Sequence, residues 1–590
     1  MGRIAATTGF LIFSGLSIAC GDQSQSGPGA TPGASDGGSK GAPGSDATAP
    51  SSGDAKAPNT HDAKSPSTGD ATMPPSDSGQ PQDDEDAGGH MPTIGPFDAQ
   101  TDAAPFDWVG IIGTGQSLSL GWASTAISTT QPFKNITLLD TGPDPKYPID
   151  GSAAAVWSTT PLIEPARVWV PDYPMGGNDD YPDNLYAMYG VYGETPHSGF
   201  ANTMSALWQS RGLGDYVTAH SIVGVGGACL NYLNKETGPV SYFAALSEAR
   251  VFKKLAASGG KTYGVGAILL THGECDAQTD PTYEADVFQF WQDYNTDLKA
   301  ITGQTKDIVL IGSQESSVAG GPTVSAVQLW QAGVDHPGQI IVAGPKYQYG
   351  DYYLHMDAPG YERLGEKYAE VFDLVVNRGV AWKPVGPSSV SQSGDTITVT
   401  FDVPNPPLVW DTHLVPPHQM MNTAWANGNG FEVTDGDGNE LTISSATIQS
   451  NTVVLKLAKA PAAGTALNLA YAVTADGGEG NDLGGDPMGM HGLLRDSDDF
   501  LGYSGMQTIP VTVTNGSTTV NPAGSTDLSH VGAMDMVTGT GVPNDTVVVD
   551  ESPTEIDLSV PWPGASGTVM MTFRHTQYNY AVHFAMAVPQ

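Results

Sequence analysis

The sequence predicts an α/β fold, a parallel sheet covered on both faces by helices, followed by an antiparallel β-sandwich region. Two observations predict it. From Phe106 to about Asn377, near-continuous apolar runs ending in Gly-rich or polar turns alternate with amphipathic segments of helical period. After about Lys383 the helical period stops, and short runs alternate apolar and polar residues between turn residues. At 590 residues the chain is also too long for one ordinary core, so two or more domains are expected.

The elements follow in chain order. Residues 1–20 have Arg3 as their only charge, an apolar stretch from Phe10 to Ile18, and Ala19 before Cys20. They read as an export signal too short for a stable membrane span. Residues 21–104 are Gly, Ala, Pro, Ser, Thr and Asp, with no aromatic residue until Phe97. Such a composition buries too little apolar surface to offset ordering entropy and predicts a disordered, weakly acidic stalk. Residues 105–380 form the α/β domain. Its strands are expected within "DWVGIIGTGQS" (107–117), "GDYVTAHSIVGVGGA" (214–228), "YGVGAILLTHGE" (263–274), "KDIVLIGSQES" (306–316) and "GQIIVAGP" (338–345). Its helices are expected over 282–301, 324–334 and 359–377. Residues 381–590 form the β region, with strands expected in "DTITVTFDV", "GFEVTDGDGNELTISSATI", "NTVVLKLA" and "TALNLAYAV". The "DGDGNE" stretch (435–440) lacks a full calcium-loop pattern and reads as a hairpin turn.

The formal charge is −39, from 24 Lys+Arg against 63 Asp+Glu. Residues 21–104 hold 3 Lys against 13 acids, which leaves −30 on residues 105–590. A polyanion of this size repels phosphate backbones and anionic lipid, so nucleic acid is excluded as a partner class. Beyond Cys20 the chain has two cysteines, Cys229 and Cys275, which leaves open a bridge or two buried thiols.

Polar groups cluster where the apolar strands end, and ligands on parallel sheets bind beyond those carboxyl ends. Ser117 follows the first strand, Gly226-Gly227 the second, and His272-Gly273-Glu274-Cys275-Asp276 the third. Asp351 and His355 stand just before the last helix. A serine hydroxyl needs a base within hydrogen-bond reach, and a developing oxyanion needs preorganised donors. Serine, glycine N–H groups, acid and histidine together make an acyl-transfer set.

These motifs resemble the SGNH (GDSL-like) hydrolases of the sialate O-acetylesterase and acetylxylan-esterase type. The resemblance rests on Gly115-Gln116-Ser117, Gly226-Gly227, His272 to Asp276, and "HMDAPGYERLGEKYA" (355–369), and it covers roughly residues 106–378. It implies a flavodoxin-like three-layer sheet and a serine esterase acting on acetylated glycan. It implies Ser117 as nucleophile, His355 as base and Asp351 as its acid. Ser117 and Gly227 N–H groups would hold the oxyanion, with Gln116 and Glu274 in support. Two departures stand out. His272 occupies the place of the family's usual Gln, and is either an oxyanion donor or an ordinary hydrogen-bonded histidine. Asp351 stands four residues before His355 instead of three, so either Asp351 or a backbone carbonyl orients the imidazole. Asp276 is expected to cap its own turn.

The signal segment resembles that of a bacterial lipoprotein, which implies a lipid anchor at Cys20 and so a membrane partner; an ordinary secretory signal is the alternative. In the position where the lipobox usually has Leu, this chain has Ser17. The stretch "LLRDSD" (493–498) resembles a segment that in related esterases directly precedes a closing strand, here Tyr578–Phe584, which implies an insertion at about 505–575. The connection from Gly121 to Asn202 carries Trp157, Trp169, Tyr173, Tyr181, Tyr186, Tyr189 and Tyr192 and is the expected substrate wall. No metal or organic cofactor is implied. The reading is an exported carbohydrate O-acetylesterase of the cell envelope. A carbohydrate-binding protein on a decayed hydrolase scaffold is the alternative, and short-chain lipid or aryl esters are the alternative substrates.

Overall fold

The computed structural model describes residues 103–139, 158–166, 193–237, 239–277, 280–316, 323–349, 351–352, 355–474, 490–552 and 554–589. The signal segment, Cys20, the stalk and all seven aromatic residues of the expected substrate wall lie outside them.

In chain order the first part contains β1 (Trp108–Gly115), β2 (Ile136–Leu139), β3 (Ser158–Pro161), α1 (Pro196–Ser210), β4 (Thr218–Ile222), α2 (Pro239–Ser258) and β5 (Tyr263–Thr271). It continues through α3 (Tyr283–Thr302), β6 (Val309–Gln314), α4 (Val324–Asp335), β7 (Ile340–Pro345), the two-residue strands β8 (Asp351–Tyr352) and β9 (His355–Met356), and α5 (Ala358–Phe372). Among the described residues the main sheet runs β3-β2-β4-β1-β5-β6-β7, parallel except for the β2–β3 pair. The five strands read from sequence thus take the order second, first, third, fourth, fifth. The order reverses around β1, the kind of switch point beyond whose carboxyl ends ligands bind on such sheets.

Alternate residues of the central strands serve two cores. Ile112, Ile268 and Leu310 face α2, α3 and α4, while Val109, Ile111, Leu269 and Ile311 face α1 and α5. That two-sided burial is why these strands are apolar throughout instead of alternating. The edge strands β2 and β3 were not expected; they fall in the long connection, where "ITLL" and "STTP" are too short to carry a periodic signal.

The remaining chain is β. β10 (Gly386–Ser393), β11 (Thr396–Asp402), β12 (Val409–Trp410), β13 (Phe431–Asp435), β14 (Ile443–Gln449), β15 (Thr452–Leu457), β16 (Leu467–Tyr471) and β17 (Leu494–Arg495) precede β18 (Met506–Val513). Then come β19 (Thr519–Pro522), β20 (Met536–Thr538), β21 (Thr546–Ser552), β22 (Glu555–Leu558), β23 (Gly567–Arg574) and β24 (Phe584–Val588). One antiparallel sheet runs β10-β11-β15-β14 and another β13-β16-β24. Their apolar faces meet, with Phe401 edge-on to Phe431 and Phe584 at 6.4 and 6.1 Å. β18 to β23 close into a barrel in the order β18-β19-β22-β21-β20-β23, with its own core of Val511, Val548, Ile556 and Met571. The "DGDGNE" stretch is a turn: Asp435 accepts from the N–H groups of Asp437 and Asn439.

The β region is tied to the α/β unit by specific bonds. Gln314, at the end of β6, exchanges two hydrogen bonds with the His583 backbone, and the Tyr347 hydroxyl donates to the Ala581 carbonyl. No helix among the described residues is long and apolar enough to cross a membrane.

Candidate active site

β1 ends at Gly115, whose φ of 138° no side-chain-bearing residue adopts readily; a Cβ there would collide with the Thr271 carbonyl oxygen of β5. Beyond it Ser117 opens a 3-10 turn, Ser117–Leu120, closed by Gly121 in the left-handed region. The N–H groups that open a helical turn have no partner within it, so the Ser117 N–H is available in kind for an anion. Ser117 is 9% exposed, and the neighbouring Trp122 ring stands 6.3 Å from that of His355.

His355 comes from the far end of the domain. β8 and β9 pair antiparallel, with Tyr352 opposite His355 and Asp351 opposite Met356. Asp357 then caps α5 by accepting from the Gly360 N–H. The result brings His355 Nε2 to 2.7 Å from Ser117 Oγ, across 238 residues of sequence. Burial pushes the His355 imidazole down to about 4, the Glu274 charge acting against this and Lys346 with it. The Asp351 backbone lies opposite Met356, one place along from the Tyr352–His355 pair, while its side chain lies outside the described residues.

After β4 the chain continues along β1, with the Val223 and Val225 N–H groups donating to Gly113 and Gly115. It then turns at Gly226-Gly227, both exposed, with Gly227 at φ 69°. A Cβ on either glycine would meet open space.

The stretch after β5 differs from expectation. His272 is 1% exposed and both ring nitrogens are engaged, Nδ1 with the Tyr283 hydroxyl at 2.8 Å and Nε2 with the Ala228 carbonyl at 3.0 Å. A carbonyl only accepts, so Nε2 carries the proton and Tyr283 donates to Nδ1. Burial holds His272 below the usual histidine range, so it gains no second N–H at neutral pH. His272 as an oxyanion donor is thereby corrected: its one N–H is spent on Ala228. The Asp276 carboxylate accepts from the Leu230 N–H at 2.8 Å and lies 3.6 Å from His272 Nε2, while Gln278 and Thr279 of its own turn lie outside the described residues. Cys229 and Cys275 are bridged. Gln116 accepts from the Cys275 N–H at 3.2 Å.

Glu274 forms a buried ion pair with Lys346, which follows β7. Beside them Glu315, beyond β6, is pushed up to about 8 by burial and by the Glu274 charge. The sequence reading missed Lys346 and Glu315. Their signal was the one that revealed His272, a polar residue just past an apolar strand, in "IGSQES" and "VAGPK". Among the described residues no group of three or more His, Cys, Asp or Glu side chains is arranged to hold a metal ion.

No family model matches the chain, and no curated protein matches it. Among solved structures it is similar to a carbohydrate acetylesterase from Xanthomonas citri, at 10% identity and a TM-score of 0.39, over 62% of this chain and 75% of that one. It is also similar to a protein from Arabidopsis thaliana (14% identity, TM-score 0.31, 45% of this chain and 98% of that one). A third is NanS, at 11% identity and a TM-score of 0.29, over 45% of this chain and 96% of that one. Likeness at these TM-scores is too distant to carry an activity across.

Proposed function

We propose that this protein is an SGNH-type serine esterase that removes O-acetyl groups from carbohydrate. One observation carries the reading: His355 Nε2 lies 2.7 Å from Ser117 Oγ, at the carboxyl ends of the parallel strands. Ser117 Oγ attacks the acetyl carbonyl carbon while His355 Nε2 takes its proton. The tetrahedral oxyanion is held by the Ser117 and Gly227 N–H groups. Collapse breaks the bond to the sugar oxygen, which leaves with the proton from His355. Water, deprotonated by His355, then attacks the acetyl-Ser117 carbonyl, and acetate departs as Ser117 recovers its proton. Asp351 orients His355 from the adjoining strand, and Gln116 and Glu274 brace the loops around the nucleophile. The signal-like residues 1–20 support export, with Cys20 the lipidated residue.

A carbohydrate-binding protein on a retired hydrolase scaffold is the competing reading, suggested by His272 and the spacing of Asp351. A Ser–His pair at bonding distance weighs against it. The deciding experiment measures acetate release by the full chain from a panel of acetylated glycans and from small acetyl esters, beside Ser117→Ala. The expected result is release that falls in the variant by on the order of a million-fold in kcat, as in other serine hydrolases. Sugar binding without any Ser117-dependent release sinks the proposal.

A further inference from the structure

Three consecutive residues beyond the Gly226-Gly227 turn are each tied to the stretch after β5. The Ala228 carbonyl accepts from His272 Nε2, Cys229 is bonded to Cys275, and the Leu230 N–H donates to Asp276. The same stretch reaches the nucleophile, because the Cys275 N–H donates to Gln116, the residue before Ser117. His272 and Asp276 are buried, at 1% and 5% exposure, while the two glycines they lie behind are exposed.

A glycine pair in open space has the most backbone freedom of any dipeptide and no side chain to fix it. An oxyanion donor helps only if it is held in place before the reaction, and an error of about 1 Å costs on the order of 100-fold. The turn has one bond of its own, from the Ala228 N–H to the Val225 carbonyl at 3.2 Å, so further restraint must come from outside it. We propose that His272, Asp276 and the Cys229–Cys275 disulfide are positioning residues that hold the Gly227 N–H as an oxyanion donor, so that ester hydrolysis depends on the disulfide being closed. This rests on the esterase reading above.

The disulfide is the one tie of the three that a change of redox conditions opens. Both cysteines are half-buried, within reach of a small dithiol. In the reduction by dithiothreitol, its two thiols become its cyclic disulfide while Cys229 and Cys275 become two thiols. Glutathione disulfide reverses the step, becoming two molecules of glutathione.

The test compares the full chain oxidised, reduced and reoxidised. It reads kcat and KM on a small acetyl ester, amide hydrogen exchange across 224–230, and the folded signal by circular dichroism. Reduction is expected to lower kcat by about 10- to 100-fold with KM little changed, and to speed exchange at 226–230, both reversed by reoxidation. The Cys229→Ser/Cys275→Ser double variant should match the reduced enzyme and ignore dithiothreitol. Asp276→Ala should lose kcat in the same way, while Asp276→Asn, whose amide oxygen still accepts from Leu230, retains it. The proposal is overturned if kcat and exchange are unchanged once both thiols are shown free by alkylation. It is equally overturned if kcat falls only as the folded signal is lost. Should the oxidised chain show no Ser117-dependent release, the esterase reading falls separately, and the exchange measurement still decides whether the disulfide restrains the turn.

Discussion

On the proposed esterase reading His355 is the base, and burial and charge set its strength from opposite sides. Burial lowers its affinity for a proton to about 4, and Glu274 opposes this more than Lys346 reinforces it. A base acts only when neutral, so kcat/KM should hold from neutral pH down to about pH 4–5 and fall below. Glu274→Gln removes the larger, raising influence, and it should move that acid limb to lower pH; a pH–rate profile of the free enzyme measures it. A limb that stays put or moves up contradicts the arrangement. That Ser117 and His355 could meet was legible in sequence because Ser117 follows the apolar run of β1 and His355 directly precedes the amphipathic helix α5. The role of His272 was not, since a histidine's use depends on which of its nitrogens meets a carbonyl, and the Ala228 carbonyl lies 44 residues away.

At the scale of elements, α5 shows why half of a helix's surroundings stayed hidden. Its apolar stripe, Tyr361, Leu364, Tyr368 and Phe372, predicted a helix packed on the sheet, and it packs there. Its charges, Glu362, Arg363, Glu366, Lys367 and Glu370, would face water on an ordinary amphipathic helix, yet all are buried. Residues 500 to 580 cover them. Ser504 donates to Glu366, Lys367 donates to the Gln577 carbonyl and Asn579, and His530 pairs with Glu362. Pairing partners more than 130 residues apart leave no periodic trace. One pair is decisive for stability: Arg363 meets Asp535 at 2.7 Å, with both side chains 3% exposed. Asp535→Ala strands a buried guanidinium and should cost about 3–5 kcal/mol. Urea denaturation of the variant checks this. Because α5 begins three residues after His355, the same variant should lose activity before it unfolds globally, and coincident loss of the two would count against that coupling.

Across the whole molecule, burial of acids sets the pH dependence of stability. Burial pushes Glu164 and Glu366 up to about 7 and Glu551 up to about 9, and it holds Glu194 and Glu370 well above the usual carboxylate range. These groups hold a proton more tightly when folded than when unfolded, where they release it at about pH 4. The contribution of Glu164, Glu366 and Glu551 is therefore complete below about pH 4 and is lost as pH rises through 7 to 9, at up to about 1.4 kcal/mol per group per pH unit, and that of Glu194 and Glu370 is lost in the same direction. His530, raised to about 9 by the Glu362 charge, acts with the same sign, losing its contribution between about pH 6.5 and 9. Buried His355, His575 and His583 oppose this at the acid end. All three are lowered to about 4, so their contribution is present above about pH 6.5 and lost as pH falls towards 4. The net charge of −39 adds self-repulsion that grows as carboxyls ionise. Between about pH 4 and 6.5 the two sets work against each other, and above about pH 6.5 only losses remain, so Tm should fall steadily from about pH 6.5 to 9. Thermal unfolding followed from pH 4 to 9 at constant ionic strength measures this. A Tm that climbs between pH 6 and 9 would mean that these acids are ionised and paired in the folded protein, and that the contact between α5 and the barrel is held by charge instead of shared protons.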